Sequence, residues 1–185
     1  MPSCFDVANY FLECQKYEAG EFITNMKLQK LVYYAQGIYL AMRGEPLFNE
    51  KIYAWDYGPV CNDLYQKYKH HESNPIPRPD DINMTNFFDI ETQKILDMVY
   101  EHYGKYSAWG LSEMSHKEPI WIDAYNRRGA EITPQSMQEY FFTQIDSDED
   151  NANKGKTWDD PDSIMNTQRI KGDFVYYTRD QLYDE

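Results

Sequence analysis

A regular spacing of apolar residues between positions 25 and 42 constrains the fold of this chain more than any other feature. The apolar positions recur every three or four residues, which is the pattern of one face of an α-helix. They are Leu28, Leu31, Val32, Ala35, Ile38, Tyr39 and Met42. Polar residues fall between them, namely Lys27, Gln29, Lys30 and Gln36. The spacing predicts a central amphipathic helix that begins at Thr24 or Asn25, ends near Met42 and turns most of its apolar face to the core.

Capping and stop signals predict further helices on both sides of this one. Residues suited to start a helix are Ser3, Asp89, Ser107, Pro119 and Thr133, the last of these for a helix that ends near Phe142. Residues 51–57 alternate with aromatics and predict a short extended segment. Pro59 is expected to be the first residue of a helix that continues to about Lys69. The fold class predicted is mainly α, with one compact helical domain over residues 1–145.

Residues 146–185 differ in character from the rest of the chain. They contain eleven acidic and five basic residues, beginning with an acidic run at 146–150. So polar a stretch buries little apolar surface, and we expect an acidic, partly extended C-terminal arm. An apolar island near its end includes Phe174, Tyr176 and Tyr177, and it either docks on the domain or orders on contact with a partner.

Net charge disfavours several classes of partner. The formal charge is −13, from 18 basic and 31 acidic residues, and no basic run is present. Direct binding of DNA or RNA and binding to acidic membranes are therefore disfavoured, because both need clustered cations. A basic protein partner is favoured, since opposite fields accelerate association. The 17 tyrosines are equally consistent with an interface and with the margin of a core.

Cysteine and histidine spacing gives no sign of a metal or cofactor. Cys4, Cys14 and Cys61 form no CxxC pair, which predicts three free thiols in a reducing cytoplasm. The N-terminal residues lack the pattern of a signal peptide, and no apolar run is long enough to span a membrane, so we expect a cytoplasmic protein. His116 is a candidate general base, but an isolated histidine beside Trp121 is more often structural.

Aromatic residues around a Gly-Pro turn are the remaining candidates for function. Trp55 and Tyr57 precede Gly58, where they either anchor the turn in the core or form a rigid surface knob. The complete set of candidate partner-binding residues is Trp55, Tyr57, His116, Trp121, Phe174, Tyr176 and Tyr177. We predict no catalytic, cofactor-binding or metal-binding residue.

Several segments in order resemble one family. They are residues 9–12 (NYFL), 27–35 (KLQKLVYYA), 45–48 (EPLF), 54–60 (AWDYGPV), 111–116 (LSEMSH) and 119–121 (PIW). Together they resemble the Panacea domain family, which includes SocA-like antitoxins and phage-associated GepA proteins, over about residues 5–127. One departure is Ile120, which separates Pro119 from Trp121, whereas the family pattern usually has Pro directly before Trp.

The resemblance implies an α-helical, non-enzymatic domain that neutralises a toxin encoded beside it by direct contact. It also implies a first alternative, an adaptor that delivers a client to a ClpXP-type protease. A second alternative, drawn from the residues themselves, is a hydrolase that uses His116. Some relatives carry an added DNA-binding domain, but the acidity of this chain argues against a repressor role. We expect the C-terminal arm to add toxin-specific contacts.

Overall fold

The computed structural model describes residues 1–15, 22–79, 84 and 87–152, with side chains described as far as Ile145. Within this part of the chain there are seven α-helices and one three-stranded sheet. The helices are α1 (Cys4–Glu13), α2 (Asn25–Arg43), α3 (Asn62–Tyr68), α4 (Ile90–Tyr103), α5 (Ala108–His116), α6 (Pro119–Asn126) and α7 (Pro134–Ala152). The strands are β1 (Ile52–Trp55), β2 (Gly58–Cys61) and β3 (Glu131–Ile132). The mainly α fold class is confirmed. None of the described helices combines the length and apolarity needed to cross a membrane.

The predicted central helix is confirmed as α2, but it is not amphipathic. Thr24 caps its start by accepting a hydrogen bond from the backbone of Lys27, and Gly44, with φ 71°, ends it. Helices α1, α4, α5 and α7 and strand β2 all pack against it. Every residue of α2 is buried except Met26 and Arg43, which are half-buried. The helix is therefore the centre of the core, and its polar residues need partners inside the protein.

The polar side chains of α2 find those partners in the backbone of the neighbouring strand. Lys30 donates from Nζ to the carbonyl of Pro59 at 3.0 Å, and Gln29 accepts from the backbone N–H of Cys61 at 2.9 Å. Both acceptor and donor belong to β2, an edge strand of the sheet. The two side chains thus satisfy backbone groups that an edge strand would otherwise leave unpaired.

The segment around Pro59 is a strand, so the prediction that a helix begins there is wrong. Strand β1 pairs antiparallel with β2, with Trp55 opposite Gly58, and β3 pairs with the other side of β1. The fixed φ of proline fits an extended edge strand as well as a first helical turn, and its missing N–H costs nothing at an edge. Gly58 adopts a φ of 99°, which closes the hairpin in a conformation that favours glycine.

Helix α7 runs ten residues beyond its predicted end at Phe142. Its core positions Met137, Phe141 and Ile145 recur every four residues and pack toward α2. The helix continues through position 145, the predicted boundary between the domain and the C-terminal arm, and ends at Ala152. The division into a domain and an arm remains a prediction.

We expect Gly37→Ala to lower the free energy of unfolding by about 2 kcal/mol, because it overpacks the contact between α2 and α7. A Cβ at Gly37 would lie 2.1 Å from Cε2 of Phe141, a ring that is itself fully buried. Gly110→Ala in α5 is the matched control. A Cβ there meets nothing closer than 3.4 Å, so we expect about 0.5 kcal/mol of added stability. Urea denaturation measures both, and equal stability of the two variants would contradict this account of the contact.

Candidate functional site

The tip of the β1–β2 hairpin and helix α5 together present an exposed aromatic pair. Tyr57 is 59% exposed and Trp109 is 62% exposed. Their ring centroids are 5.7 Å apart and the rings are nearly perpendicular, at 89°, which is a favourable edge-to-face arrangement. Ser112 of α5 donates a hydrogen bond to the carbonyl of Tyr57 at 2.9 Å and so fixes the hairpin tip on the helix. The two side chains therefore form an apolar surface that faces solvent, and the backbone that carries Tyr57 is held in place.

A cavity of about 750 Å³ adjoins this pair on the side of β1. Aromatic and apolar side chains form much of its wall, namely Met26, Trp55, Tyr57, Val60, Tyr65 and Tyr125. The rings of Trp55 and Tyr65 meet edge to face at 5.1 Å. Its charged lining residues include Lys30, Asp56, Glu72 and Arg128. The volume and mixed lining fit a concave site that receives a side chain of another protein or a small molecule.

His116, Trp121 and Tyr125 form a stack behind the hairpin. The ring centroids of His116 and Trp121 are 4.2 Å apart, and those of Trp121 and Tyr125 are 4.7 Å apart. Tyr125 donates from its hydroxyl to Oδ1 of Asp56 at 3.0 Å, and the His116 ring donates to the backbone carbonyl of Asp56. The stack therefore supports the turn that carries Tyr57.

The surroundings of His116 favour this structural role over general base catalysis. Burial, and secondarily the charge of Lys30, lowers the pKa of His116 below its ordinary value. Its Nε2 has no hydrogen-bond partner within the described part of the chain, and no carboxylate there hydrogen-bonds to its ring. A histidine that acts as a base is normally oriented by such a group. In the same residues no cluster of His, Cys, Asp and Glu is arranged to hold a metal ion.

A buried ionisable cluster lies beneath the hairpin. Lys30 is 1% exposed and Glu118 is 6% exposed. The hydroxyl of Tyr33 donates a hydrogen bond to the Glu118 carboxylate, and Tyr34 faces the same group. Burial raises the pKa of Glu118 to about 8 and lowers the pKa of Lys30 to about 7, in each case against the attraction of the other group. The cluster therefore disfavours charge and favours the protonated form of Glu118.

We expect the stability of the protein to fall by about 2 kcal/mol between pH 5 and pH 7, relative to the variant Glu118→Gln. The ordinary pKa of 4.5 applies to Glu118 in the unfolded chain, whereas the folded value is about 8. Folding therefore retains a proton across this range, and the stabilisation present at low pH is lost as the pH rises. Urea denaturation of both proteins at each pH measures the difference. Parallel pH profiles would show that Glu118 is ionised in the fold.

The structure brings four of the predicted residues into one neighbourhood. Trp55 and Tyr57 line the cavity, while His116 and Trp121 stack behind the turn. Trp121 is only 8% exposed, so it supports this surface from below. The other three predicted residues, Phe174, Tyr176 and Tyr177, lie outside the described residues.

Sequence reasoning missed Trp109, Tyr125 and Lys30. Ser107 correctly marks the start of the short helix that carries Trp109, through a side chain that accepts from the backbone of Gly110. The sequence signal for Trp109 is a large aromatic residue at the second position of a nine-residue helix. The interior position of Lys30 has no comparable signal, because a lysine in a helix is normally solvated.

The matching family model and the matching relative point to the same family. The family model described as "Antitoxin SocA-like, Panacea domain" matches residues 28–122. Antitoxin SocA of Caulobacter vibrioides (strain NA1000 / CB15N) is 46% identical over 44 residues, which cover 24% of this chain and 23% of that protein. The aligned stretch thus spans about a quarter of the length of that relative. No solved structure matches the chain significantly.

Proposed function

We propose that this chain, which belongs to the family of SocA-like antitoxins with a Panacea domain, is an antitoxin that neutralises a protein toxin by direct binding. The observation that carries the proposal is the exposed pair of Tyr57 and Trp109 on a rigid hairpin and helix. Both residues lie inside the matched range 28–122. We define the hairpin face as Trp55, Tyr57, Trp109 and Tyr125 and assign the toxin contact to it.

The geometry of the hairpin face suits a strong protein contact. Tryptophan and tyrosine are the residues most enriched among those that dominate binding energy, and they dominate where they fill pockets or are desolvated. The hydrogen bond from Ser112 to the carbonyl of Tyr57 fixes the backbone before binding. Less conformational entropy is therefore lost on association. The adjoining cavity offers a receptor for one protruding side chain of the toxin.

Charge supports a basic toxin, and the three cysteines, none of which forms a disulfide, suit the reducing cytoplasm as the place where the chain acts. The net charge of −13 accelerates encounter with a cationic partner and makes the association rate fall as salt is added. The acidic residues after position 145 contribute much of that charge, which is why we assign the C-terminal arm a part in toxin contact. Phe174, Tyr176 and Tyr177 are its candidate anchors.

A growth assay tests the function. The reading frame encoded beside this chain is induced in a bacterial host, alone and together with this chain. We expect growth arrest with the neighbour alone and recovery with both. A harmless neighbour, or an arrest that this chain leaves unchanged, would contradict the antitoxin proposal.

Two further measurements in the same assay distinguish simple binding from delivery to a protease and test the role of the C-terminal arm. The amount of toxin stays constant if binding suffices, whereas it falls in a protease-dependent manner if the chain acts as an adaptor. A chain ended after Ala152 removes only residues that follow α7. We expect it to protect less well than the full chain, and equal protection would contradict the role of the arm.

A further inference from the structure

Two carboxylates in the cavity beside the hairpin face have no cationic partner. Asp56 lies at the hairpin tip and Glu72 lies shortly after α3, and both side chains are exposed. Oδ1 of Asp56 accepts a hydrogen bond from the hydroxyl of Tyr125 at 3.0 Å, which leaves Oδ2 available. Neither carboxylate forms an ion pair with any residue in the part of the chain that the structure describes. The cavity therefore presents both of them to whatever enters it.

Two basic residues also line the cavity, but only one of them is accessible. Lys30 is 1% exposed, and its Nζ already donates to the carbonyl of Pro59. Burial also lowers the pKa of Lys30 to about 7, which reduces its positive charge near neutral pH. Arg128 is exposed in the turn after α6. Two exposed carboxylates therefore stand against one exposed guanidinium, and the accessible lining is negative.

Aromatic rings form the walls of the cavity between these charges. Trp55 and Tyr65 are half-buried, and their rings meet at a centroid distance of 5.1 Å and an angle of 67°. Tyr57 and Tyr125 line the same cavity and are 59% and 40% exposed. The face of an aromatic ring attracts a cation, and a guanidinium also stacks on it. The lining thus combines the two kinds of group that bind a basic side chain, aromatic rings and carboxylates.

We propose that this cavity is the receptor for a basic side chain, an arginine or a lysine on the surface of the toxin. The proposal rests on the antitoxin function proposed above and names the type of residue that the cavity receives. The methylene stem of that side chain packs against Trp55 and Tyr65, and its cationic head pairs with Asp56 or Glu72. The net charge of −13 favours a partner of the same sign as this ligand.

Arg128 allows the sign of the ligand's charge to be tested. Its guanidinium repels a cationic ligand and attracts a carboxylate. We therefore expect Arg128→Gln to strengthen the binding of a cation by about threefold, as is typical of one exposed charge. Asp56→Asn and Glu72→Gln should each weaken it by about the same factor. The asparagine retains the oxygen that accepts from Tyr125, so the turn keeps its support.

Two variants outside the cavity control for net charge alone. Lys105→Gln removes an exposed positive charge between α4 and α5, and Glu139→Gln removes an exposed negative charge on α7. Neither residue lines the cavity. We expect both variants to bind a cation within about 1.5-fold of the unmodified chain, because salt screens charges that are distant from the ligand.

NMR titration of the full chain with small probes tests the cavity without a toxin. The probes are n-butylguanidinium, its neutral isostere n-butylurea and the anion pentanoate. We expect n-butylguanidinium to bind about fivefold more tightly than n-butylurea, because cation–π contacts and a carboxylate both favour the charged probe. The shifts that move should include the indole N–H of Trp55 and the amides of residues 54–57 and 128–129, which line the cavity.

Several results of the titration would overturn the proposal. One is tighter binding of pentanoate than of n-butylguanidinium, and another is equal binding of n-butylguanidinium and n-butylurea, which would make the cavity a receptor for an apolar side chain. A third is weaker binding of n-butylguanidinium by Arg128→Gln. Failure of all three probes to bind at the cavity is the fourth.

The same variants, tested with the protein encoded beside this chain, separate this proposal from the antitoxin proposal. Arg128→Gln should tighten the complex, and the double variant Asp56→Asn with Glu72→Gln should weaken it by about tenfold. A toxin that binds equally well to all of these variants overturns the basic anchor and leaves the antitoxin function supported. Binding of n-butylguanidinium at the cavity without any complex supports a cation receptor and counts against the antitoxin function.

Discussion

Gln36→Ala should lower the free energy of unfolding by about 4 kcal/mol, one of the largest effects of any single side chain described here. Gln36 is 2% exposed and holds the loop after α2 through three hydrogen bonds. Its Oε1 accepts from the backbone N–H groups of Leu47 and Phe48 at 3.0 and 3.2 Å, and its Nε2 donates to the carbonyl of Phe48 at 2.9 Å. Truncation leaves three backbone groups buried without partners, and each costs about 1 to 3 kcal/mol.

Gln66→Ala is the matched control for that experiment. Gln66 lies on the exposed face of α3, where its amide donates to Oδ1 of Asn62 at 3.3 Å in contact with solvent. Water replaces that bond, so we expect a change below about 0.5 kcal/mol. Urea denaturation with equal slopes for all proteins is the measurement. A loss below 1 kcal/mol for Gln36→Ala would show that water or a rearranged loop satisfies the backbone at 47–48.

The double variant Tyr57→Ala with Trp109→Ala should weaken toxin binding at least about 100-fold. Both side chains are more than half exposed and contact mainly each other, so their removal takes little from the core. We therefore expect the melting temperature to change by only a degree or two. Titration calorimetry with the purified neighbour-encoded protein gives the affinity, and circular dichroism gives the melting temperature.

Phe87→Ala is the control for exposed aromatic surface in general. Phe87 is 53% exposed, packs on Phe88 before α4 and takes no part in the hairpin face. Its loss should leave toxin affinity within about twofold, as expected for a residue outside the contact. If Phe87→Ala weakened binding as much as the double variant, the toxin would not select the hairpin face.

Much of the helical fold follows from local sequence signals. Ser3, Thr24, Asp89 and Ser107 each cap a helix at the predicted position, because a cap acts on backbone groups two or three residues away. Each of these signals therefore lies within a few residues of the helix start that it marks. The start of α7 at Pro134 was also predicted, while its far end depends on packing against α2.

The extended segment at 51–57 was predicted and contains β1, but the second strand of the hairpin, β2, could not be predicted because distant residues decide it. A Gly-Pro pair followed by helix-forming residues fits a first helical turn as well as an edge strand. Gln29 and Lys30 bind the backbone of Cys61 and Pro59 and so favour the strand. These contacts join positions about thirty residues apart, outside the reach of periodicity.

The candidate site was predictable only in part for the same reason. Trp55 and Tyr57 stand out as aromatics before a turn, and His116 and Trp121 stand out as neighbours in sequence. Trp109 is separated from Tyr57 by three elements, β2, α3 and α4, and becomes its partner only in three dimensions. The roles assigned to Phe174, Tyr176 and Tyr177 remain predictions, because those residues lie outside the described part of the chain.

Hydrogen exchange of the purified complex tests most directly the claim that the hairpin face binds a toxin. The chain is compared with and without the protein encoded beside it, and protection is followed along the backbone. We predict a stable complex with added protection concentrated at residues 55–61 and 107–116, the hairpin and α5. Neutralisation in cells without any complex, or protection confined to other elements, would contradict the account.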